Sequence, residues 1–354
     1  MMKPIYVGEL AQHENQPIVS FFLVESKELR STREGRPYLA LRLTDRSGTV
    51  EARVWDEVAQ LEPEFQRDDV VKVEATVESY RGEIQLRVKR LRRARDAEVE
   101  MADYLRQTDK DVEGLYAELL QVARGVGDAH LRQLLLAVLE EPELAARLKQ
   151  APGAKIMHHA YRGGLLEHIV SLCRLCQQAA PNYPEIDLNL LLAGAVLHDL
   201  GKVYELSYER SFDYTSVGNL LGHIAIALEL LNRKMDAIPG FPAPLRVLVQ
   251  HLVLSHHGRL EFGSPVTPKF PEAVLLHYLD DIDSKMEAMR ASLKGAEAAD
   301  REGEWTAWNR SLERFLLRRE KFSAESPRAA EPTTLFDSNP AEPIPASDKP
   351  AKKK

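Results

Sequence analysis

A chain of 354 residues with 44% hydrophobic and 29% charged side chains has the composition of a soluble globular protein and length enough for two or three cores. A formal net charge of −7 excludes a wholly basic nucleic-acid binder, so any such site must be a local patch. The opening MMKPIYVGEL lacks the apolar core of a signal peptide, no apolar run reaches membrane-spanning length, and two cysteines are too few for a disulfide framework or a four-thiolate zinc site; the cytoplasm is the expected compartment.

Residues 1–95 read as β structure. Segments 18–24, 38–43, 50–55, 70–77 and 84–88 are short, rich in β-branched and aromatic residues, and largely alternating. Turn signals stand between them at Glu34-Gly35-Arg36-Pro37, Asp45-Arg46-Ser47-Gly48 and Tyr80-Arg81-Gly82. With a more helical piece over 56–65, these strands predict a small five-stranded barrel of the OB type, an architecture that binds single strands by aromatic stacking and a basic groove. Tyr38, Trp55 and Tyr80 are the stacking candidates. Arg81, Arg87, Lys89, Arg90, Arg92, Arg93 and Arg95 are the candidates for phosphate contacts. Each has a plainer alternative, since strand aromatics also pack and an arginine run also serves as a solvated start to a helix.

Residues 96–153 turn helical, with apolar residues at three and four spacing over 112–122 and 130–139, continued over 144–148. Residues 154–322 then hold His158, His159, His168, His198, His223, His251, His256, His257 and His277, leaving only His13 and His130 outside. Gly163-Gly164 opens a helix that carries His168 and runs through Cys176. Cys173 and Cys176 share a face of it and read as small buried hydrophobes. The word LLAGAVLHDLGK, 191–202, completes an apolar run that predicts a helix buried on most of its circumference, with Gly201 as its stop. His198 and Asp199 at its end are costly to bury unless something binds both. A divalent cation does, and the donors suit Mn²⁺, Fe²⁺, Co²⁺ or Zn²⁺. The two oxygens of Asp199 suffice to bridge two ions. The plainer alternative bonds the imidazole to a helix-end carbonyl and pairs Asp199 with Lys202. Gly222-His223 opens another helix to about 231, 252–257 end in a His-His pair before Gly258, and 274–289 form a helix on which Asp280 and Asp283, but not Asp281, share a face. A helix is expected around Trp305, Trp308, Leu312 and Phe315, serving as core. From about Ser323 the chain is rich in Pro, Ala, Glu and Ser and ends KPAKKK, the composition of a disordered tail.

The series His168, His198-Asp199, Asp280 resembles the H…HD…D signature of the HD phosphohydrolase superfamily, an all-helical metal-dependent fold. Gly222-His223 and His256-His257 fall between, as in members carrying two or more metals. The words GGLLEH, LHDLGK and SHHGRLEFGSP behind an OB-like domain are similar to the YhaM-type 3′-to-5′ exoribonucleases, over about residues 5–320. The implied fold is multidomain α+β: an OB-fold nucleic-acid-binding domain over 1–95, a helical connector over 96–153, an all-α HD domain over 154–322 and a tail over 323–354. The resemblance implies His168, His198, Asp199 and Asp280 as core metal ligands, and His223, His256 and His257 at the positions that hold a second metal. Asp283 competes with Asp280 for the last place, and Asp280 is preferred. His158 and His159 read as substrate-side or surface residues, His251 as a partner behind His256, and His277 as core or surface.

The activity so implied is 3′-to-5′ hydrolysis of single-stranded RNA, or single-stranded DNA, to nucleoside 5′-monophosphates. Two divalent ions, Mn²⁺ first and Co²⁺, Fe²⁺ or Ni²⁺ as alternatives, would activate a water and neutralise phosphodiester oxygens. Asp199 and Lys202 are the catalytic pair: Asp199 or a neighbouring histidine takes the proton, and Lys202 offsets charge built up at phosphorus. No membrane is implied, and the oligomeric state is open. One rival is a nucleotide or cyclic-dinucleotide phosphohydrolase with a regulatory OB domain, although SHHGRLEFGSP departs from the GYP pattern of the cyclic-dinucleotide enzymes. The other is a non-enzymatic OB-based RNA-binding protein.

Overall fold

Period-two alternation closes into a barrel. β1 (Pro17–Ser31), β2 (Pro37–Asp45), β3 (Gly48–Val54), β4 (Val70–Tyr80) and β5 (Glu83–Arg93) pair in the order β1-β2-β3-β5-β4, with β4 returning to β1. Only β3 and β5 run parallel; the other pairs are antiparallel. Inward side chains such as Phe22, Leu39, Leu41, Val73, Val77 and Leu86 are fully buried and form one core. Between β3 and β4, α1 (Val58–Leu61) and a short 3₁₀ turn occupy the stretch expected to be helical. These coordinates are a computed structural model that describes residues 3–155, 159–208, 210–298 and 303–325. They divide into two compact units, Met1–Ala288 and Met289–Lys354, each taken by itself.

A register shift in the β4–β5 ladder decides which side chains face outward. Glu74 pairs with Arg90 and Ala75 with Val88, so Lys89 is left over as a bulge. Strict alternation would bury one of Lys89 and Arg90; the bulge leaves both exposed.

The barrel is followed by helices α2 (Val112–Gly125), α3 (Ala129–Leu139), α4 (Pro142–Leu148), α5 (Gly164–Ala179) and α6 (Leu188–Leu197). Asp111, Asp128 and Asp187 cap α2, α3 and α6 by accepting from free backbone N–H groups of the first turn. Then come the four-residue α7 (Lys202–Glu205), a small hairpin β6 (Leu206–Ser207) and β7 (Asp213–Tyr214), α8 (Ser216–Asp236), α9 (Ala243–Ser255) and α10 (Pro271–Ala298). Helix α6 lies at the centre, buried continuously from Leu190 through its end. At Gly194 it is packed so closely that a Cβ would come within 2.9 Å of Leu276 and 3.1 Å of Leu252. The hairpin reaches the barrel. Phe212 packs against the cluster of Phe21, Leu23, Val70, Tyr104 and Leu105, and Asp213 pairs with Arg67 at 2.9 Å and with Lys155 at 2.5 Å.

Four expectations are corrected here. Gly201 is no helix stop: its φ of −61° is helical, and α7 begins directly after it. Its small size serves close approach instead, since a Cβ would lie 1.9 Å from the carbonyl oxygen of His223. Nor does α8 begin at Gly222. It starts at Ser216, capped by Thr215, and Gly222 interrupts it with φ 72° and ψ 157°, a conformation essentially restricted to glycine. In the second unit, the segment around Trp305 is not a helix. Bridges Trp305–Leu317 and Asn309–Arg314 close it antiparallel, and Asn309 Oδ1 accepts from Leu312 N at 3.0 Å, a local bond that competes with helix formation. Leu312 and Leu316 are buried there, whereas Trp305, Trp308 and Phe315 are more than half exposed. A short helix α11 (Arg319–Glu325) follows, taking in Ser323 where the tail was expected to begin. The rest of that tail, and His158, lie outside the described residues. Among the described residues no helix is long and apolar enough to cross a membrane.

Candidate metal centre

Five histidines from four helices share one arrangement: Nδ1 of each meets an oxygen acceptor, leaving Nε2 for the interior. His198 Nδ1 donates to Ala195 O at 3.0 Å, His256 Nδ1 to Val253 O at 2.8 Å, and His257 Nδ1 to Phe262 O at 2.9 Å. His168 Nδ1 donates to Asp283 Oδ2 at 2.8 Å, and His223 Nδ1 to Glu205 Oε1 at 3.2 Å. A carbonyl or an ionised carboxylate only accepts, so each bond keeps the proton on Nδ1. The lone pair of the neutral ring is thereby assigned to Nε2. For His198 and His256 the bond arises from the helix end itself, where carbonyls three residues back are without helical partners.

Those Nε2 atoms converge on Asp199. Its Oδ2 lies 3.3 Å from His198 Nε2 and 3.9 Å from His168 Nε2, while its Oδ1 lies 3.5 Å from His223 Nε2 and 3.6 Å from His256 Nε2. Asp280 Oδ1 adds to the first side, 3.2 Å from His168 Nε2, and the two nitrogens of His168 and His198 are 3.3 Å apart. Donor atoms of His168, His198 and Asp280 thus gather within 4.8 Å of one another, and those of His223, His256 and His257 do the same. Asp199 Oδ1, His223 Nε2 and His256 Nε2 are buried without a hydrogen-bond partner. Three orphaned polar atoms aimed at one point are costly unless a cation occupies it. The donor set fits a divalent transition metal.

Electrostatics follow from this packing. Burial would raise the Asp199 carboxyl, but Lys202, with Nζ 2.7 Å from Oδ2, and His198 hold it well below the carboxylate range. Burial likewise works against charge on His168, yet Asp280 and Asp283 on its two edges push its pKa up to about 10. Without a cation the cluster therefore stores a proton between carboxylates, and a ligating His168 must release it. Burial lowers His256 and His257, keeping both neutral.

Asp280 and Asp283 are separated by this geometry. Asp280 faces the Nε2 side of His168, and Asp283 takes the Nδ1 side together with Ser171 Oγ at 2.5 Å and His159 Nε2 at 3.1 Å. His159, read from sequence as substrate-side or surface, is buried to 3% exposure and belongs to this support. Glu205 carried no sequence signal. It holds His223 twice, at Nδ1 and at the backbone N–H (3.0 Å), because α7 and α8 run backbone against backbone at Gly201. His251 does not back His256; its Nε2 accepts from Lys269 N at 3.1 Å. His277 donates to the carbonyl of His256 at 2.9 Å.

On the barrel, Tyr38 and Trp55 stack on each other with centroids 4.6 Å apart, so each covers one face of its neighbour. Tyr80 is 58% exposed, with the guanidinium of Arg81 5.3 Å from its ring centre. Arg92 and Arg95 are engaged by Glu98, Arg93 by Asp69, and Arg87 by Glu78 at 3.8 Å. Among the described residues, Lys89 and Arg90 make no ion pair.

Comparison with known proteins places two domains on this geometry. Residues 24–94 match the model of an OB-fold nucleic acid binding domain, and residues 165–285 match that of the HD domain, which indicates a metal-dependent phosphohydrolase. Among solved structures, the second OB-fold domain of replication protein A from Methanococcus maripaludis is 20% identical, covering 22% of this chain and 83% of its own, with a TM-score of 0.18. A single-stranded DNA binding protein from Thermus aquaticus is 20% identical, covering 24% of this chain and 42% of its own, with a TM-score of 0.21. The chain carries an OB-fold domain followed by an HD domain.

Proposed function

We propose that the protein is a metal-dependent phosphodiesterase that shortens single-stranded RNA from its 3′ end, releasing nucleoside 5′-monophosphates, with Mn²⁺ as its ion. The observation that carries this reading is the common orientation of four imidazoles, those of His168, His198, His223 and His256, about the two oxygens of Asp199, with His257 grouped beside His223 and His256. His168, His198, Asp280 and Asp199 Oδ2 would hold one ion, and His223, His256, His257 and Asp199 Oδ1 a second. Such ions supply an activated water and neutralise the phosphodiester oxygens. Lys202 keeps Asp199 ionised and brings positive charge to where the phosphorus centre gains negative charge. Asp199 receives the proton given up by the attacking water, because the imidazoles around it carry their protons on Nδ1 and turn Nε2 to the ions. The OB-fold domain supports a polymeric substrate, with Tyr80, Arg81, Lys89 and Arg90 as its exposed contacts.

The test is a time course on 5′-labelled single-stranded RNA, and on DNA of the same sequence, with Mn²⁺. Wild type should yield a ladder shortening from the 3′ end, stopped by chelator and absent in Asp199→Ala. Intact strands under every divalent ion, with hydrolysis of free nucleotides instead, would overturn the exonuclease reading.

A further inference from the structure

We propose that Phe262 is the stacking platform for the base of the 3′-terminal nucleotide, backed by the guanidinium of Arg259; this rests on the phosphodiesterase reading. The loop from Gly258 to Ser264 follows directly on His256-His257, and its backbone is held at both ends. Gly258 N donates to Ser255 O at 2.8 Å, and the His277 ring sits so close beneath that a Cβ on Gly258 would lie 2.3 Å from it. Ser264 Oγ lies 2.9 Å from Leu254 O and 2.8 Å from Val266 O, and its N–H donates to Arg259 O at 3.2 Å. Between these anchors, the carbonyl of Phe262 accepts the Nδ1–H of His257. The position of Phe262 is thus fixed one hydrogen bond from a candidate ligand.

Its ring is not used by the fold. It is 60% exposed, and the guanidinium of Arg259 stands 5.6 Å from its centre. Arg259 is itself two-thirds exposed and pairs only loosely with Glu261 at 3.3 Å. An exposed aromatic with a cation beside it, on a pinned loop next to a phosphodiester-cleaving centre, offers what a nucleobase recognises: a π face and a positive edge. Stacking of this kind accepts every base, which suits an enzyme that must cleave successive nucleotides of any sequence.

The experiment uses the full chain with Mn²⁺ and two single-stranded RNA oligonucleotides, identical except that one ends in an abasic 3′ residue. Phe262→Ala should raise KM for the base-bearing end roughly tenfold, the scale of one lost base–aromatic stack, with little change in kcat. It should leave the abasic end unaffected and the bound Mn²⁺ unchanged, since the backbone carbonyl to His257 remains. Phe262→Trp should restore KM, and 2-aminopurine at the 3′ end should be quenched on binding to wild type but not to Phe262→Ala. Equal loss on both ends, or no loss on either, overturns the platform. So does a change in self-association in Phe262→Ala with KM unmoved, which would give the loop to a protein contact. If wild type cleaves neither strand, the phosphodiesterase reading fails, and the quench decides the platform independently: quenching that needs Phe262 supports it, and none overturns it.

Discussion

Asp280 and Asp283, one turn apart on α10, grip opposite edges of the same imidazole: Asp280 Oδ1 is 3.2 Å from His168 Nε2, and Asp283 Oδ2 is 2.8 Å from Nδ1. Residue spacing alone makes the two carboxylates equivalent, whereas the ring distinguishes them. Asp280 shares the Nε2 side with the donor atoms of His198 and Asp199, and Asp283 holds the Nδ1 side together with Ser171 and His159.

Their substitutions should therefore differ in kind. Asp280→Ala is expected to lose one equivalent of bound Mn²⁺ at any accessible concentration. Asp283→Ala should retain full stoichiometry at saturation, with an affinity weakened by about 10–100-fold. Calorimetric titration of the metal-free protein reads both, and the opposite pattern would exchange their roles.

Gly222→Ala isolates backbone conformation from crowding. No atom lies within 4 Å of a Cβ placed there, so sterics cost nothing, but φ 72° with ψ 157° is a region alanine avoids. A loss of about 1–3 kcal/mol in urea unfolding is expected. Relief of the strain by rotation would move His223, so weakened metal binding with unchanged stability is the alternative signature of the same constraint.

Salt dependence separates open cations from engaged ones on the barrel. Lys89→Ala and Arg90→Ala should each reduce the slope of log K against log salt for single-stranded binding by about 0.7. Arg92→Ala should reduce it less, because its guanidinium already holds Glu98 through two bonds of 2.9 and 2.7 Å. Equal slopes for all three would place the strand elsewhere.

Asp213 links the helical region to the barrel through Arg67, and its bond to Lys155, within the helical region, holds its pKa below the usual 3.8. A folded-state pKa depressed below the unfolded one adds stability that is fully present above pH 3.8 and lost as pH falls through the folded value. The stability difference between wild type and Asp213→Asn should accordingly be constant from neutrality down to that region and shrink below it. A difference that grows on acidification would contradict the linkage.

The barrel was legible because the strands are short, β-branched or aromatic and largely alternating, so that Leu39, Leu41, Val73 and Leu86 declare one face. Alternation breaks at Lys89-Arg90, between Val88 and Leu91, and it is the ladder that shows this break to be a one-residue bulge. In the helical region, His198 and Asp199 stood out because an apolar run rarely ends in two titratable groups. Glu205 and His159 did not, since their importance comes from backbone paths that bring distant turns together: α7 against α8 in one case, and the turn before α5 against α10 in the other. The Trp305 segment was misread because its aromatics recur at helical spacing, while the Asn309 side chain satisfies the backbone in a tighter turn.

The two thiols of α5 have a practical consequence. Cys173 and Cys176 are the chain's full complement; both are buried, and burial raises both, Cys176 to about 12. Both should therefore resist an alkylating reagent while α5 stays in place. The same helix carries His168, so alkylation rate becomes a native clock for the opening of that wall, with no label introduced. Slower alkylation when Mn²⁺ is added would register occupancy from inside the core, and any cysteine engineered onto the barrel could be modified selectively against a silent background.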